Sequence, residues 1–132
     1  MTLAEQMLTD ALAAQKFTRK HFVTELDFTE KSVQELESQF DAVRYALRGG
    51  LTDDNLQNLT KLWGAYLGET LKRLGGGEWT TIQTDGRERL AVQCRETTIF
   101  PHEKVHARLT NGASENVWEY FQTMRPLLGS GG

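Results

Sequence analysis

Three consecutive glycines, Gly75-Gly76-Gly77, separate two segments of different hydrophobic period, and this break limits the possible folds more than any other feature. Before it, Leu56, Leu59, Trp63, Tyr66, Leu67, Leu71 and Leu74 recur at the spacing of one helical face. Thr52 is a good N-cap, Asp53 and Asp54 suit the positive end of the helix dipole, and Lys72 and Arg73 suit its last turn. After it the period falls to two. "EWTTIQT" and "RERLAVQC" read as strands joined by a tight turn at Asp85-Gly86, with Leu90, Val92 and Cys94 on one face of the second strand. "TTIF" predicts a short third strand, stopped by Pro101.

Helical periodicity recurs on both sides of this centre. Leu3, Met7, Leu8, Ala11 and Leu12 predict a short first helix, followed by an irregular stretch over residues 17 to 28 with a short extended piece at Phe22 and Val23. A second helix starts near Thr29, with Phe28 and Val33 at staple spacing. Val33, Leu36, Phe40, Val43 and Leu47 form its stripe, and Gly49-Gly50 ends it. A further helix runs from Pro101 to about Leu109 and is broken by Asn111-Gly112. The last has Ser114 as N-cap, Val117, Tyr120, Phe121 and Met124 as its stripe, and Pro126 as its end.

This order predicts an α+β fold: three N-terminal helices, a small two- to three-stranded antiparallel meander, and two C-terminal helices packed on one sheet face. A chain of 132 residues is expected to be a single domain, with residues 1 to 28 as helix and lead-in and 127 to 132 as a frayed Gly-rich tail. Gly64 and Gly68 weaken the third helix, which predicts close approach of another helix or strand; the same groove suits a second chain, so a homo-oligomer is open.

The net charge of −3 argues against nucleic acid as a partner, and the local basic cluster of Lys16, Arg19, Lys20 and His21 reads as a solvated helix end. Cys94 is the only cysteine, which suits a reducing compartment. The N-terminus carries Glu5 and Asp10 and no long apolar run, so neither a signal peptide nor a membrane span is expected. A cytoplasmic, bacterial-type protein is the default expectation.

"FPHEKVHARL" contains His102, Glu103 and His106 in the order H-E-x-x-H. On a helix this spacing can hold zinc on His102 and His106, with Glu103 activating a water and Glu115 or Glu119 as third ligand. Three features weigh against it. Pro101 starts the helix at the motif, so the first ligand would sit on a fraying end. Lys104 projects charge from the same turn, and residues 107 to 112 lack any extended ligand pattern. The simpler expectation is that Val105 and Leu109 pack on the sheet, with the histidines bordering that seam. Cys94 with His102 or His106 is a possible nucleophile and base, but the alternation places Cys94 in the core. "LGGGEW" ends a helix, whereas phosphate loops open one. Glu69 and Arg73 read as a surface pair, and Trp63, Tyr66 and Trp118 as core aromatics. Trp79 heads a strand beside the glycines and, if exposed, is the best anchor for a partner.

Two stretches, "LWGAYLGETLKRLGGGEW" at 62 to 79 and "FPHEKVHARLTNG" at 100 to 112, resemble a pattern of uncharacterised bacterial domains of unknown function: L-G-x-Y-x-G-E, then G-G-x-W, then F-P-x-x-x-V-x-x-R-L-x-x-G. Trp63 stands where the pattern has a smaller residue, and the histidines fall at its variable positions. The resemblance implies a small α+β domain and supplies no activity, substrate or cofactor. Some small domains of this kind accompany bacterial toxin systems as immunity proteins. With no credible catalytic set, no phosphate loop and a mildly acidic surface, the expected function is a non-enzymatic domain that binds another protein, as an immunity or regulatory factor, without a cofactor. The alternatives are a zinc-dependent hydrolase using His102, His106 and Glu103, or an oligomerisation module.

Overall fold

A computed structural model describes residues 1–46 and 51–128. Leu47, the Gly49-Gly50 stop and residues 129–132 lie outside the described residues. Three helices, α1 (Leu3–Phe22), α2 (Glu30–Ala46) and α3 (Asp53–Gly75), precede strands β1 (Glu78–Thr84), β2 (Arg87–Cys94) and β3 (Thr97–Ile99). Helices α4 (Pro101–Asn111) and α5 (Val117–Met124) follow, with short 3-10 turns at Ala113–Glu115 and Arg125–Leu128. The α+β class, the element order and the antiparallel sheet agree with the expectation; the sheet has three strands in the order β1-β2-β3. Among the described residues no helix is long and apolar enough to cross a membrane.

Helix α3 forms as its caps predict. Thr52 Oγ1 accepts the Asn55 N–H at 3.1 Å, and Gly76, at φ 72°, closes the helix with its N–H on the Lys72 carbonyl. Its burial is not confined to one face: every residue from Leu62 to Leu71 is buried. It is therefore the central rod of the domain and not a surface helix. Trp63 gathers the aromatic core, with Phe40 edge-on at 5.3 Å and Phe17 and Phe22 at 6.3 and 6.1 Å.

Gly64 and Gly68 allow the rod to be approached on one side, as their spacing predicts. A Cβ at Gly64 would lie 2.8 Å from His102 Cα, and one at Gly68 would overlap the Trp79 indole and stand 2.9 Å from Pro101 Cγ. The first turn of α4 and the indole of β1 occupy this notch. The groove is filled by the chain itself, so it has no room for a second copy.

Helix α1 extends well past the expected short segment. Thr2 and Glu5 form a reciprocal capping box, and the helix continues to Phe22, so residues 17 to 22 are helical, not irregular. Val23 is left-handed at φ 51° instead of extended. The buried face is Met7, Asp10, Ala11, Ala14 and Thr18, whereas Leu8 and Leu12 are 37% and 44% exposed. Thr18 Oγ1 donates to the Ala14 carbonyl at 2.7 Å and accepts the Trp63 indole N–H at 3.1 Å. Polar members of a buried stripe of this kind are satisfied only in the tertiary setting, which is why periodicity missed it.

The loop into α2 is fixed from α3. The Tyr66 hydroxyl accepts the Phe28 N–H at 2.8 Å and meets Ser32 Oγ at 2.5 Å. Thr29 Oγ1 accepts the Ser32 N–H at 3.2 Å, as an N-cap should. Val33, Leu36, Phe40 and Val43 are buried.

The hairpin register pairs Trp79 with Val92 and Thr84 with Arg87, and Asp85 and Gly86 both have positive φ, 51° and 78°, as a two-residue turn with primed geometry requires. Val92 and Cys94 are buried, and so is Ala91 on the opposite parity. Helix α4 lies mainly on α3 and also on β2, and α5 lies mainly on α2; the expectation that both sit on one sheet face gives way to packing on helices. Asn116, not Ser114, caps α5 by accepting the Glu119 N–H at 2.9 Å. Leu128, at the end of the described residues, is buried and would touch a Cβ at Gly75 at 2.9 Å.

One buried cation joins three helices. Arg108 is fully buried, with Nη2 at 2.9 Å from Glu37 Oε2 and 3.1 Å from Asp41 Oδ1. Its Nε donates to the Glu37 carboxylate at 3.0 Å, and Glu37 Oε1 accepts the Val117 N–H at 2.7 Å. Burial disfavours the charged guanidinium, but Glu37 and Asp41 outweigh it and hold Arg108 above its ordinary pKa.

Two substitutions test this framework. Gly68→Ala gains up to about 1 kcal/mol of helix propensity but must displace Trp79 and Pro101; the expected net loss is about 2 kcal/mol, measured by urea unfolding, and a neutral result contradicts the notch. Arg108→Met leaves Glu37 without its buried partner, with an expected loss of about 3 kcal/mol in the same measurement.

Candidate functional site

The H-E-x-x-H residues are helical, and the structure separates their roles. Glu103 faces β2, where Arg89 binds it through Nε at 2.7 Å and Nη2 at 2.8 Å. Hydrogen bonds from Arg89 hold the Glu103 carboxyl below the usual carboxylate range. The same guanidinium lies 3.8 Å over the Phe100 ring. Glu115, a candidate third ligand, binds Lys104 Nζ at 2.8 Å, and Glu119 is exposed. Among the described residues no group of three or more histidine, cysteine, aspartate or glutamate side chains is placed to hold a metal.

The other sequence candidates lie apart. Cys94 is buried beside Gly75 and Gly77, and burial pushes its thiol pKa up. His102 sits against Gly64, eleven residues back along α3 from Gly75, or roughly 16 Å at the helical rise. The two do not form a nucleophile–base pair. Trp79 is only 8% exposed, so the condition for its role as a partner anchor is not met. Its indole N–H donates to Glu69 Oε2 at 2.6 Å. Glu69 is therefore not a surface residue: it is buried under Trp79, with Arg73 at 3.9 Å and Lys72 at 3.8 Å as outer partners.

His102 is the unusual group. Its ring rests in the Gly64 notch, 5.7 Å from the Trp79 ring. Both ring nitrogens are buried and neither makes a hydrogen bond of ordinary geometry. Burial lowers its pKa to about 4, against weaker opposing effects from the Asp10 carboxylate and the Lys61 backbone. The imidazole is thus neutral at pH 7, with one donor and one acceptor. Nearby on α3, Thr60 Oγ1 is also buried without a partner.

Thr60 and His102 line a cleft of about 600 Å³ between α1, α3, β2 and α4. Gln6, Met7 and Asp10 form its α1 wall, and Gln57 and Lys61 extend the α3 wall. Leu90 and His106 complete it, and a further hollow of about 460 Å³ shares Thr60, His102 and His106 and reaches Glu103 and Arg87. Asp10 is nearly fully buried, accepts from Gln6 Nε2 at 2.9 Å and lies 4.0 Å from Lys61 Nζ. Sequence reading identified His102 and His106 but not Thr60, Asp10, Gln6, Gln57 or Lys61. The available signal was a carboxylate three residues after Met7, on the buried side of α1.

A central helix carrying a three-stranded meander on one side and a cleft lined by polar groups on another describes a small α+β domain. The chain belongs to the DUF3806 family of domains of unknown function, whose model matches residues 40–121. The matched span runs from Phe40 in α2 to Phe121 in α5, so the α3 and α4 walls of the cleft lie within it and the α1 wall lies outside. No curated protein and no solved structure matches the chain.

Neutral burial of His102 has a defined pH signature. Its pKa is about 6.5 when unfolded and about 4 when folded, so between these values the unfolded chain binds a proton that the folded chain does not. Stability is therefore unaffected above pH 7 and falls as pH drops from 6.5 to 4, by about 3 kcal/mol from this residue. Urea unfolding as a function of pH measures the loss, and a carbon-13 titration of the His102 ring in the unaltered protein locates its midpoint. A midpoint near 6.5 contradicts the desolvated, buried ring.

Proposed function

We propose that this chain is a small cytoplasmic, non-enzymatic domain that binds another protein through the α1/α3/α4 cleft, in an immunity or regulatory role. The observation that carries this reading is the pair of buried polar groups at the cleft whose hydrogen-bonding capacity is unfilled, Thr60 Oγ1 and the His102 ring, which meets only the Lys61 backbone and without ordinary geometry. A buried polar atom without a partner costs about 1–3 kcal/mol. Such atoms are rare away from functional sites and waters. A bound partner that supplies their hydrogen bonds recovers that energy on association.

The zinc-hydrolase alternative is less well supported. Its general base, Glu103, is engaged by Arg89 through both carboxylate oxygens, and one proposed third ligand, Glu115, is engaged by Lys104. The lone cysteine suits the cytoplasmic setting.

Affinity purification of the full chain from its native host, followed by size-exclusion chromatography, is expected to give a complex with one defined protein at fixed stoichiometry. Gln57→Trp, at the exposed rim of the cleft, should leave stability within about 0.5 kcal/mol and abolish that complex. A chain that stays monodisperse and partnerless, or a complex indifferent to Gln57→Trp, overturns the proposal.

A further inference from the structure

The polar atoms of this cleft also define what it can hold. We infer that it takes an uncharged amide of a partner polypeptide, from the backbone of an extended loop or an Asn or Gln side chain in it, and that it excludes anions. This inference rests on the protein-binding reading and narrows it to one chemistry.

The argument starts from the charges. The carboxylate of Asp10 is on the α1 wall and the ammonium of Lys61 is on the α3 wall, 4.0 Å apart. Lys61 partly offsets Asp10, whose carboxylate still acts on the His102 ring, so the cleft offers no uncompensated cation to an anionic ligand. A phosphate or carboxylate entering it would meet Asp10. The other charges on elements around His102 do not alter this balance. Glu103 is bound to Arg89 and Lys104 to Glu115, while Arg87 lines only the outer, 460 Å³ hollow. His106, on the same helix, is exposed.

The hydrogen-bonding groups point to an amide. Neutral His102, with its N–H toward the Lys61 backbone, presents one bare ring nitrogen, and Thr60 presents a hydroxyl that donates and accepts. An amide has the complementary pair: its N–H can donate to the bare ring nitrogen while its carbonyl accepts from the Thr60 hydroxyl. An ion satisfies only half of such a set and leaves the other half buried without a partner. Burial of His102 keeps the ring from gaining the charge that would invite an anion. Met7 and Leu90 give the apolar part of a peptide a surface to cover. Gln57 and Lys61, whose long side chains are exposed, line the same cleft.

The test uses the isotope-labelled full chain and three probes: N-acetylglutamine N′-methylamide, inorganic phosphate and methylammonium. The amide probe is expected to shift the His102 ring nitrogens and the Thr60 methyl saturably. Thr60→Val, close in shape, should weaken that binding about tenfold, the loss of roughly one hydrogen bond. Phosphate and methylammonium should leave both groups unmoved. His102→Phe should likewise weaken the amide probe, and if that variant does not fold, Thr60→Val decides alone. Saturable binding of phosphate at His102 overturns the inference, and so does amide binding unchanged by Thr60→Val. A stoichiometric partner whose binding ignores Thr60→Val would defeat this inference and leave a protein-binding role at another surface. Amide binding without any partner protein would support the inference and defeat the function proposed above.

Discussion

The close contact at Gly64 and Gly68 is the constraint on which the rest of the domain depends. Because α3 lacks two Cβ atoms on one side, the first turn of α4 and the Trp79 indole reach its backbone directly. That approach positions Pro101 and His102 on the rod, and it brings the whole meander against α3 through Trp79. It also accounts for the burial of α3 from Leu62 to Leu71. Two glycines in a helix interior each sacrifice propensity, and here the return is the meeting of three elements at one point.

Polar side chains then fix what the notch brings together. Glu69 accepts the indole N–H of Trp79, Tyr66 holds the loop into α2 through the Phe28 N–H, and Arg108 ties α4 to α2 through Glu37, which in turn holds the Val117 N–H of α5. Together with Gly64, Gly68, Trp79, Pro101 and Val105, these residues make up most of the L-G-x-Y-x-G-E, G-G-x-W and F-P-x-x-x-V-x-x-R-L-x-x-G stretches. In this chain the residues of those stretches hold the architecture together. His102 and Thr60 lie at the edge of that architecture, with their polar atoms buried beside the cleft between α1, α3 and α4.

The H-E-x-x-H spacing illustrates why a motif needs its surroundings. Helical geometry does put His102 and His106 on one side of α4, as the spacing requires. Glu103 is one residue further round, toward β2, where a bidentate arginine takes it. The same turn thus divides its side chains between a buried notch, a surface ion pair and an open rim.

Much of the local structure was legible in the order of residues. Thr52 and Gly76 bound α3, Asp85-Gly86 make the hairpin, Pro101 opens α4, and the glycine pair foretells a close crossing, because each depends on φ/ψ preferences and hydrogen bonds within a few residues. The sequence could not show which partners lie across the fold. Tertiary contact alone decided that α1 continues to Phe22 on a stripe containing Asp10 and Thr18, that Trp79 and Glu69 are buried together, and that α4 lies mainly on α3. It also decided that Thr60 from α3, Asp10 from α1 and His102 from α4 share one cleft. Periodicity reports how apolar a face is, and it is blind to a buried polar group whose partner, or whose lack of one, lies many residues away in the chain.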